Sequence, residues 1–242
     1  MAKSLPNIIF SSFPRSGGSS VDEVLKKILP QIGYHITPFG IEGSANIDTT
    51  IVGKTEPFYH WTHAHLGLFN QFINKEDFCF IYHYRDPREC VVSWANKEII
   101  EGNAPPDIDA IRQSIIFSKY HLTEHIIRAR EWMSCENVLS IRFEDMCSDL
   151  KSYFKSIFLF IDILELIDPH SLQTIIEEVG PYYHKRRQIK EDRELQRLGI
   201  TRLSSEKKKS WELSFSKTDT LLFKKIAGDF LIEYGYETNY DW

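Results

Sequence analysis

The chain has few of the residues that mark disulfide-rich and zinc-binding proteins. Among its 242 residues there are only four cysteines, Cys79, Cys90, Cys135 and Cys147. They show neither the CxxC spacing of a zinc site nor the density of a disulfide scaffold. We therefore interpret them as reduced thiols and expect no structural zinc.

An excess of positive charge is also lacking. The 29 Lys and Arg residues are outnumbered by 34 Asp and Glu, and the formal net charge is −5. Proteins that bind nucleic acids usually carry a basic surface. We expect no nucleic-acid partner, and any site for an anion must be local.

Long hydrophobic runs are missing as well. The longest, around residues 157–163, is interrupted by Asp162 and is far shorter than the roughly 20 residues of a membrane-spanning helix. The first residues, MAKSLPNIIFSSF, contain one Lys and an apolar run too short for a signal peptide. We therefore expect a cytoplasmic protein without a transmembrane segment.

Strand and helix signals alternate along the first hundred residues. Residues 7–12 form a β-rich run, and residues 78–84 form the continuous aromatic and β-branched run of a buried parallel strand. Helical spacing follows the first run until Pro30, with Ser20 and Glu23 in the positions of a capping box. The second run is followed by Pro87, which suits the first position of a helix that we extend to about residue 101.

The same alternation continues to the C-terminus. Periodicity predicts a helix, with at most one break, over 108–133, a strand over 138–143, and helices over 150–164, 169–179 and 220–234. Such a pattern is typical of a parallel sheet flanked by helices. We expect an α/β protein whose residues 1–242 form a single domain.

Two stretches lack the period of a helix or a strand. Residues 31–75 begin with Gly and Pro among polar residues, and residues 180–210 are highly charged. We expect both to be loops that cover a site and contact its substrate.

Segments with the character of phosphate-binding sites follow the two clearest strands. FPRSGGSS, residues 13–20, leads into a helix, so its backbone N–H groups and the helix dipole favour an anion. RDPRECVVS, residues 85–93, begins with an Arg and ends with a Ser. Because the turns after parallel strands meet at one edge of a sheet, both segments should face one crevice. This predicts a ligand with two anionic ends.

These segments resemble those of the sulfotransferases that use 3′-phosphoadenosine 5′-phosphosulfate (PAPS). FPRSGGSSV resembles the 5′-phosphosulfate loop, WTHAHL the Lys-Thr-His segment, YRDPRECVVSW the 3′-phosphate segment, and VLSIRFEDM the (Tyr/Phe)-Glu-Asp stretch. The four occur in the family's order over about residues 7–150. The resemblance implies a three-layer P-loop-like fold with a central parallel sheet flanked by helices. It also implies sulfuryl transfer from PAPS to an acceptor hydroxyl, with release of adenosine 3′,5′-bisphosphate (PAP).

The resemblance also implies roles for individual residues. Arg15 falls where the family contacts the phosphosulfate and acts in catalysis, Arg85 and Ser93 match the pair that binds the 3′-phosphate, and Phe143 lies where an aromatic approaches adenine. Trp211 and Phe215 resemble the aromatic spacing of the C-terminal segment. The donor-binding residues implied in this way are Arg15, Ser16, Gly17, Gly18, Ser19, Ser20, Arg85, Ser93, Phe143, Arg202 and Lys208.

His63 matches the family's catalytic base. A neutral imidazole suits this task because its unperturbed pKa is about 6.5. His65 lies two residues further on and is the alternative base, since both would share one face of an extended segment. Two His alone would also suit a metal, but no third ligand-rich cluster accompanies them, and we expect no metal.

The sequence departs from the family pattern at three places. Ser20 stands where an aromatic often stacks on adenine, and Trp61 replaces a Lys that assists transfer. The C-terminal Arg-Lys-Gly is not clear, so contacts to the 3′-phosphate there would come from Arg202 or from residues 207–209.

Two other functions remain open at this point. One is an ATP-dependent small-molecule kinase, although aligning Gly17 with the second Gly of GxxxxGK(S/T) puts Gly18 at the Lys. The other is a sulfotransferase-like domain that binds a nucleotide without turnover, as the replacement at Trp61 would allow. The acceptor, a small molecule or a glycan, and the oligomeric state are not encoded in these motifs.

Overall fold

A computed structural model of the protein describes residues 4–39, 56–103, 121–199 and 210–242. The chain divides into two compact units. The first comprises Met1–Tyr84 and Arg128–His184, and the second comprises Arg85–Ile127 and Lys185–Trp242. That the chain forms a single domain stays a prediction.

The first unit contains a five-stranded sheet in which all neighbouring strands are parallel. Its spatial order is β2-β3-β1-β4-β5. The strands are β1 (Asn7–Ser12), β2 (His35–Ile36), β3 (Phe58–Thr62), β4 (Phe78–Tyr84) and β5 (Val138–Arg142). Ser11 pairs with Thr62 and Ser12 pairs with His83. The residues that follow β1, β3 and β4 therefore begin side by side at one edge.

Helices accompany the sheet, as the sequence predicted. Those of the first unit are α1 (Gly18–Ile28), α4 (Phe143–Ser148) and α5 (Leu150–Phe160). Those of the second unit are α2 (Pro87–Ile100), α7 (Ser210–Ser214) and α8 (Lys217–Glu233). The helices α3 (Leu122–Met133) and α6 (Pro169–Arg197) contribute residues to both units. Short 3-10 turns lie at Leu29–Ile32, Leu66–Phe69 and Leu164–Leu166.

Alternation along β4 places apolar side chains on both faces of the sheet. Ile81 belongs to a buried cluster with β1, α1 and α5, which includes Val24 and Phe154. Phe80 and Tyr82 belong to the other face, where their rings lie 6.2 and 5.7 Å from that of Trp132. Burial on both faces explains why this strand has no polar alternation in its sequence.

The predicted loop over residues 31–75 is wrong where the structure has β2 and β3. The sequence FYHWT of β3 mixes aromatic and polar side chains and gives no clear period. Pairing with β1 nevertheless buries Phe58, Tyr59, His60 and Thr62. Residues 40–55 lie outside the described residues.

The predicted loop over 180–210 is also wrong in its first part, because α6 continues to Arg197. We expected a loop since this stretch has no apolar period. Its Lys, Arg, Glu and Gln residues, however, have high intrinsic helix propensity, which a charged sequence does not remove. Residues 200–209, which include the predicted phosphate ligands Arg202 and Lys208, lie outside the described residues.

The start of α1 corrects a further prediction. The capping box of Ser20 and Glu23 is not formed: the helix begins at Gly18, Gly17 is the N-cap, and no described side chain caps this end. The helix start is therefore built from backbone, as an anion-binding turn requires.

Arg88 on α2 is a buried cation in the second unit. Its Nε and Nη2 donate to Asp86 at 2.9 and 2.7 Å, and its Nη1 donates to Glu237. The guanidinium carbon lies 4.1 and 4.7 Å from the ring centroids of Trp211 and Trp242. One buried charge therefore joins α2, α7 and the C-terminal residues.

We expect Arg88→Ala to lower the free energy of unfolding by about 3–5 kcal/mol, because the carboxylate of Asp86, only 2% exposed, would lose its buried partner. Urea unfolding followed by circular dichroism measures the change. The matched control is Lys97→Ala on the same helix, which breaks a partly exposed 2.9 Å pair with Glu101 and should cost about 0.5 kcal/mol. Equal losses in the two variants would contradict a structural role for the Arg88 cluster.

Candidate active site

The loop between β1 and α1 has a constrained backbone. Arg15 adopts φ 68°, a left-handed conformation that is unfavourable for a residue with a side chain, and Gly17 adopts φ 97°. The Ser16 N–H donates to Phe13 O at 3.0 Å, and the Phe13 N–H donates to His83 O at 2.8 Å. The turn is thus fixed to the end of β4. Strain at a residue other than glycine often accompanies a functional site.

Two glycines allow the loop to pack directly on neighbouring side chains. A Cβ atom at Gly17 would lie 2.8 Å from the ring of Phe143, and one at Gly18 would lie 2.7 Å from Cβ of Ser12. Phe143, at the start of α4, is only 5% exposed and packs beneath the loop. The structure shows the contact of Phe143 with the loop, whereas its contact with adenine stays a prediction.

Ser16 gives the loop an additional polar group for an anion. Its side chain is fully buried, and its Oγ has no hydrogen-bond partner among the described residues. A buried hydroxyl without a partner costs about 1–3 kcal/mol. A ligand oxygen would remove this cost, so the residues of the loop fit a phosphate-like group. Ser19 is half-buried and Ser20 is buried on the first turn of α1.

His63 follows β3 and is held by the residue that precedes the loop. Its Nδ1 lies 2.7 Å from the backbone oxygen of Ser12, an acceptor, so Nδ1 carries the proton. Nε2 is then the basic nitrogen of the neutral ring. The Oγ of Ser12 accepts a hydrogen bond from Trp61 Nε1 at 3.2 Å, which fixes the neighbouring indole as well.

His65 has a different environment. Its Nε2 accepts a hydrogen bond from Arg128 Nε at 2.8 Å, and its Nδ1 lies 3.2 Å from Oε2 of Glu131. Arg128 Nη1 also donates to the backbone oxygen of His63 at 3.1 Å. Both ring nitrogens of His65 therefore serve a network with α3, and the geometry favours His63 as the base.

Aromatic rings surround His63. The ring centroids of Phe39 and Trp61 lie 5.3 and 5.7 Å from that of His63, both edge-on, and Phe39 is 41% exposed. Lys26 on α1 lies 5.7 Å from the Trp61 centroid and forms a 2.7 Å ion pair with Asp22. An indole and a phenyl ring thus lie beside His63, and the indole of Trp61 stands where the resemblance has a Lys.

His83 on β4 is a residue that the sequence interpretation missed. It is fully buried, its Nε2 lies 3.1 Å from the backbone oxygen of Ser16, and its Nδ1 lies 2.7 Å from the hydroxyl of Tyr153. Burial raises the pKa of Tyr153 well above its usual value, so the phenol remains protonated. In the sequence IYHY, His83 looks like any other side chain of a buried strand. Only the register that pairs His83 with Ser12 reveals its place under the loop.

Arg85 and Ser93 both belong to the second unit. Arg85 directly precedes α2, and its Nη2 donates to Glu89 Oε2 at 3.2 Å. The other carboxylate oxygen of Glu89 accepts the N–H of Trp211, also at 3.2 Å. Ser93 is half-buried further along α2. The predicted 3′-phosphate residue Arg85 is therefore oriented by a carboxylate that also holds the beginning of α7.

Trp211 and Phe215 contact each other, with ring centroids 5.9 Å apart. Trp211 is 9% exposed and stacks on Arg88, which gives it a structural role.

The described residues were compared with the requirements of a metal site and of a membrane-spanning helix. Within residues 4–39, 56–103, 121–199 and 210–242, no three His, Cys, Asp or Glu residues are arranged to hold a metal ion. In the same part of the chain, none of the helices has the length and apolar content needed to cross a bilayer.

Comparison with known proteins assigns the chain to a family. A family model described as a sulfotransferase domain matches residues 41–233, more than half of the chain. The chain therefore belongs to the sulfotransferase family, as its motifs predicted. The match begins at residue 41, after the loop at residues 13–20. The interpretation of this loop as an anion site therefore rests on its sequence and on its backbone geometry.

Solved structures support the fold. Mouse sulfotransferase SULT7A1, complexed with PAP, is 19% identical in sequence and gives a TM-score of 0.63. The alignment covers 95% of this chain and 89% of the mouse chain. Retinol dehydratase in complex with androsterone and inactive cofactor PAP is 18% identical, with coverages of 96% and 82% and a TM-score of 0.61. The predicted P-loop-like α/β fold is thereby confirmed. A search of curated sequences gave no significant match.

We expect Gly17→Ala to impair anion binding for a steric reason. Its matched control is Gly33→Ala, because Gly33 has φ 96° but no atom within 4 Å of a Cβ position. Both variants should lose about 1 kcal/mol of stability through the left-handed backbone, and Gly17→Ala should lose more because its Cβ would meet the Phe143 ring. Only Gly17→Ala should also lose affinity for PAP, measured by calorimetry. Unchanged PAP affinity in Gly17→Ala would contradict the loop assignment.

Proposed function

We propose that the protein transfers a sulfuryl group from PAPS to an acceptor hydroxyl and releases PAP. The observation that carries this proposal is the placement of His63. Its Nδ1 is bound to the oxygen of Ser12, one residue before the phosphate loop, which leaves Nε2 as the basic nitrogen. A base beside an anion-binding loop is what an acceptor hydroxyl needs to lose its proton.

We assign the two anionic ends of the donor to different segments. The loop amides, the Ser16 hydroxyl and the start of α1 would hold the 5′-phosphosulfate, with Arg15 supplying positive charge. Arg85 and Ser93 would bind the 3′-phosphate, and a guanidinium suits this because it can make two parallel bonds to phosphate oxygens. β1 and β4 are adjacent and parallel, which supports this assignment.

In the proposed reaction the protein positions the reactants and stabilises the charge that develops on the leaving group. When bound, PAPS supplies the sulfuryl group and a phosphate leaving group. As in phosphoryl transfer, the transition state is loose and in line. An acceptor oxygen forms a bond to sulfur, the bond from sulfur to the phosphate oxygen breaks, and the acceptor proton goes to Nε2 of His63. Arg15 and the loop amides stabilise the charge that develops on the leaving phosphate.

The proposal also includes the class of acceptor and the location of the protein in the cell. The rings of Trp61 and Phe39 beside His63 suit a molecule with an apolar face, which both a small alcohol and a sugar present. We propose a hydroxyl-bearing small molecule, with a glycan as the alternative, and a cytoplasmic location.

A domain that binds PAP without turnover is the second candidate, favoured by Trp61 in place of a Lys. The kinase alternative has lost its support, because the chain belongs to the sulfotransferase family and has Gly18 at the P-loop Lys position. Calorimetry with PAP, 5′-AMP and ATP tests binding, and formation of PAP from PAPS with an added acceptor tests turnover. Tight PAP binding without turnover would select the second candidate.

We expect His63→Ala to lower kcat by about 10²–10⁴-fold, the typical contribution of a general base. Affinity for PAP should stay within a few-fold of wild type, because His63 contacts the acceptor. His65→Ala is the comparison, since it removes a neighbouring imidazole that is bound to Arg128 and Glu131. If His65→Ala abolished turnover and His63→Ala retained it, the base role would move to His65.

We expect Arg85→Ala to weaken PAP binding by about 2 kcal/mol, the value of a hydrogen bond between charged groups. Affinity for 5′-AMP, which lacks the 3′-phosphate, should change little. Lys97→Ala removes a cation from α2, the helix that follows Arg85, and serves as the charge control. Equal affinity of the wild type for PAP and 5′-AMP would rule out a 3′-phosphate pocket.

A further inference from the structure

His83 connects the phosphate loop to a buried phenol. The imidazole is completely buried, and Tyr153 on α5 is 4% exposed. Nε2 of His83 lies 3.1 Å from the backbone oxygen of Ser16, and Nδ1 lies 2.7 Å from the Tyr153 hydroxyl. No step of the proposed reaction uses either side chain. His83 nevertheless contacts a peptide of the loop directly, and Tyr153 contacts the other nitrogen of the same imidazole.

We propose that His83, held by Tyr153, is a positioning residue that orients the Ser16–Gly17 peptide so that the loop binds a 5′-phosphosulfate or 5′-phosphate group. This inference rests on the proposed function. In a trans peptide the C=O and the N–H point to opposite sides. A hydrogen bond from His83 to the Ser16 oxygen therefore turns the Gly17 N–H away from His83. The opposite orientation would present a carbonyl, which repels an anion.

Gly17 makes this constraint necessary. Its φ of 97° lies in the left-handed region, which glycine enters at little cost. The peptide before such a glycine can rotate more easily than one before a residue with a side chain. The hydrogen bond to the Ser16 oxygen supplies the restraint that Gly17 itself lacks.

Tyr153 stabilises the form of His83 in which Nε2 is the donor. A neutral imidazole has one N–H and one acceptor nitrogen. The backbone oxygen of Ser16 can only accept, so the imidazole proton lies on Nε2, and the O–H of the buried, protonated phenol donates to Nδ1. The rings of Phe143 and Tyr153 lie 6.2 and 6.0 Å from the imidazole, edge-on, and hold its plane.

The test uses two ligands that differ only in the group which the loop would bind. PAP carries both phosphates, whereas adenosine 3′-phosphate lacks the 5′-phosphate. We expect His83→Leu to weaken PAP binding by about tenfold, the loss expected for one misoriented charge-assisted donor. Affinity for adenosine 3′-phosphate should change less than about twofold. Calorimetry on the full chain measures both.

Two further variants separate positioning from packing. His83→Gln keeps a donor at the position of Nε2 and should recover most of the PAP affinity. Tyr153→Phe removes one oxygen, keeps the ring, and should cause a smaller loss that is again confined to PAP. Thermal unfolding of each variant reports the structural effect separately. If His83→Leu does not fold, Tyr153→Phe carries the same comparison.

The outcomes distinguish this inference from the proposed function. A wild-type protein that binds PAP no better than adenosine 3′-phosphate contradicts the 5′-phosphate site itself. A wild type that prefers PAP, together with variants that keep this preference in full, overturns the positioning role alone. Equal losses for both ligands also overturn it, because they indicate a general structural effect. A loss confined to PAP and reversed by Gln supports it.

Discussion

The parallel pairing of β1 with β3 and β4 is the constraint on which the site depends. It brings Ser11 opposite Thr62 and Ser12 opposite His83, so that the residues after three strands start at one edge of the sheet. The bond from His63 to the Ser12 oxygen and the bond from His83 to the Ser16 oxygen both follow from this register. A slip of one residue would turn the strand side chains to opposite faces and break both contacts.

The proposed site would attract an anion with little help from the overall charge. The chain is net negative, so the attraction arises from backbone amides, the start of α1 and a few cations. In the proposed reaction, Trp61 in place of a Lys would remove one cation and leave more of the stabilisation of the leaving group to Arg15 and the loop. The orientation of each loop peptide would then matter more, and we propose this as the reason for the buried imidazole beneath the Ser16–Gly17 peptide.

Local patterns predicted much of the fold but missed elements that depend on distant partners. The strands β1 and β4 and the helices that follow them, α1 and α2, were predicted because apolar period, Pro30 and Pro87 mark their limits. β3 was missed because FYHWT becomes a strand only through pairing with β1. The second half of α6 was taken for a loop because its charged residues lack an apolar face, although they favour a helix.

The sequence alone determined membership of the sulfotransferase family and predicted a phosphate loop and a 3′-phosphate segment at Arg85, because each motif resides in a few consecutive residues. Only the tertiary structure showed the different hydrogen-bond partners of His63 and His65, and only it placed His83 beneath the loop. Ser12 and His63 are 51 residues apart in the chain, and His83 and Tyr153 are 70 apart. Hydrogen bonds over such separations depend on strand register and helix packing, which the local periodicity of a sequence does not specify.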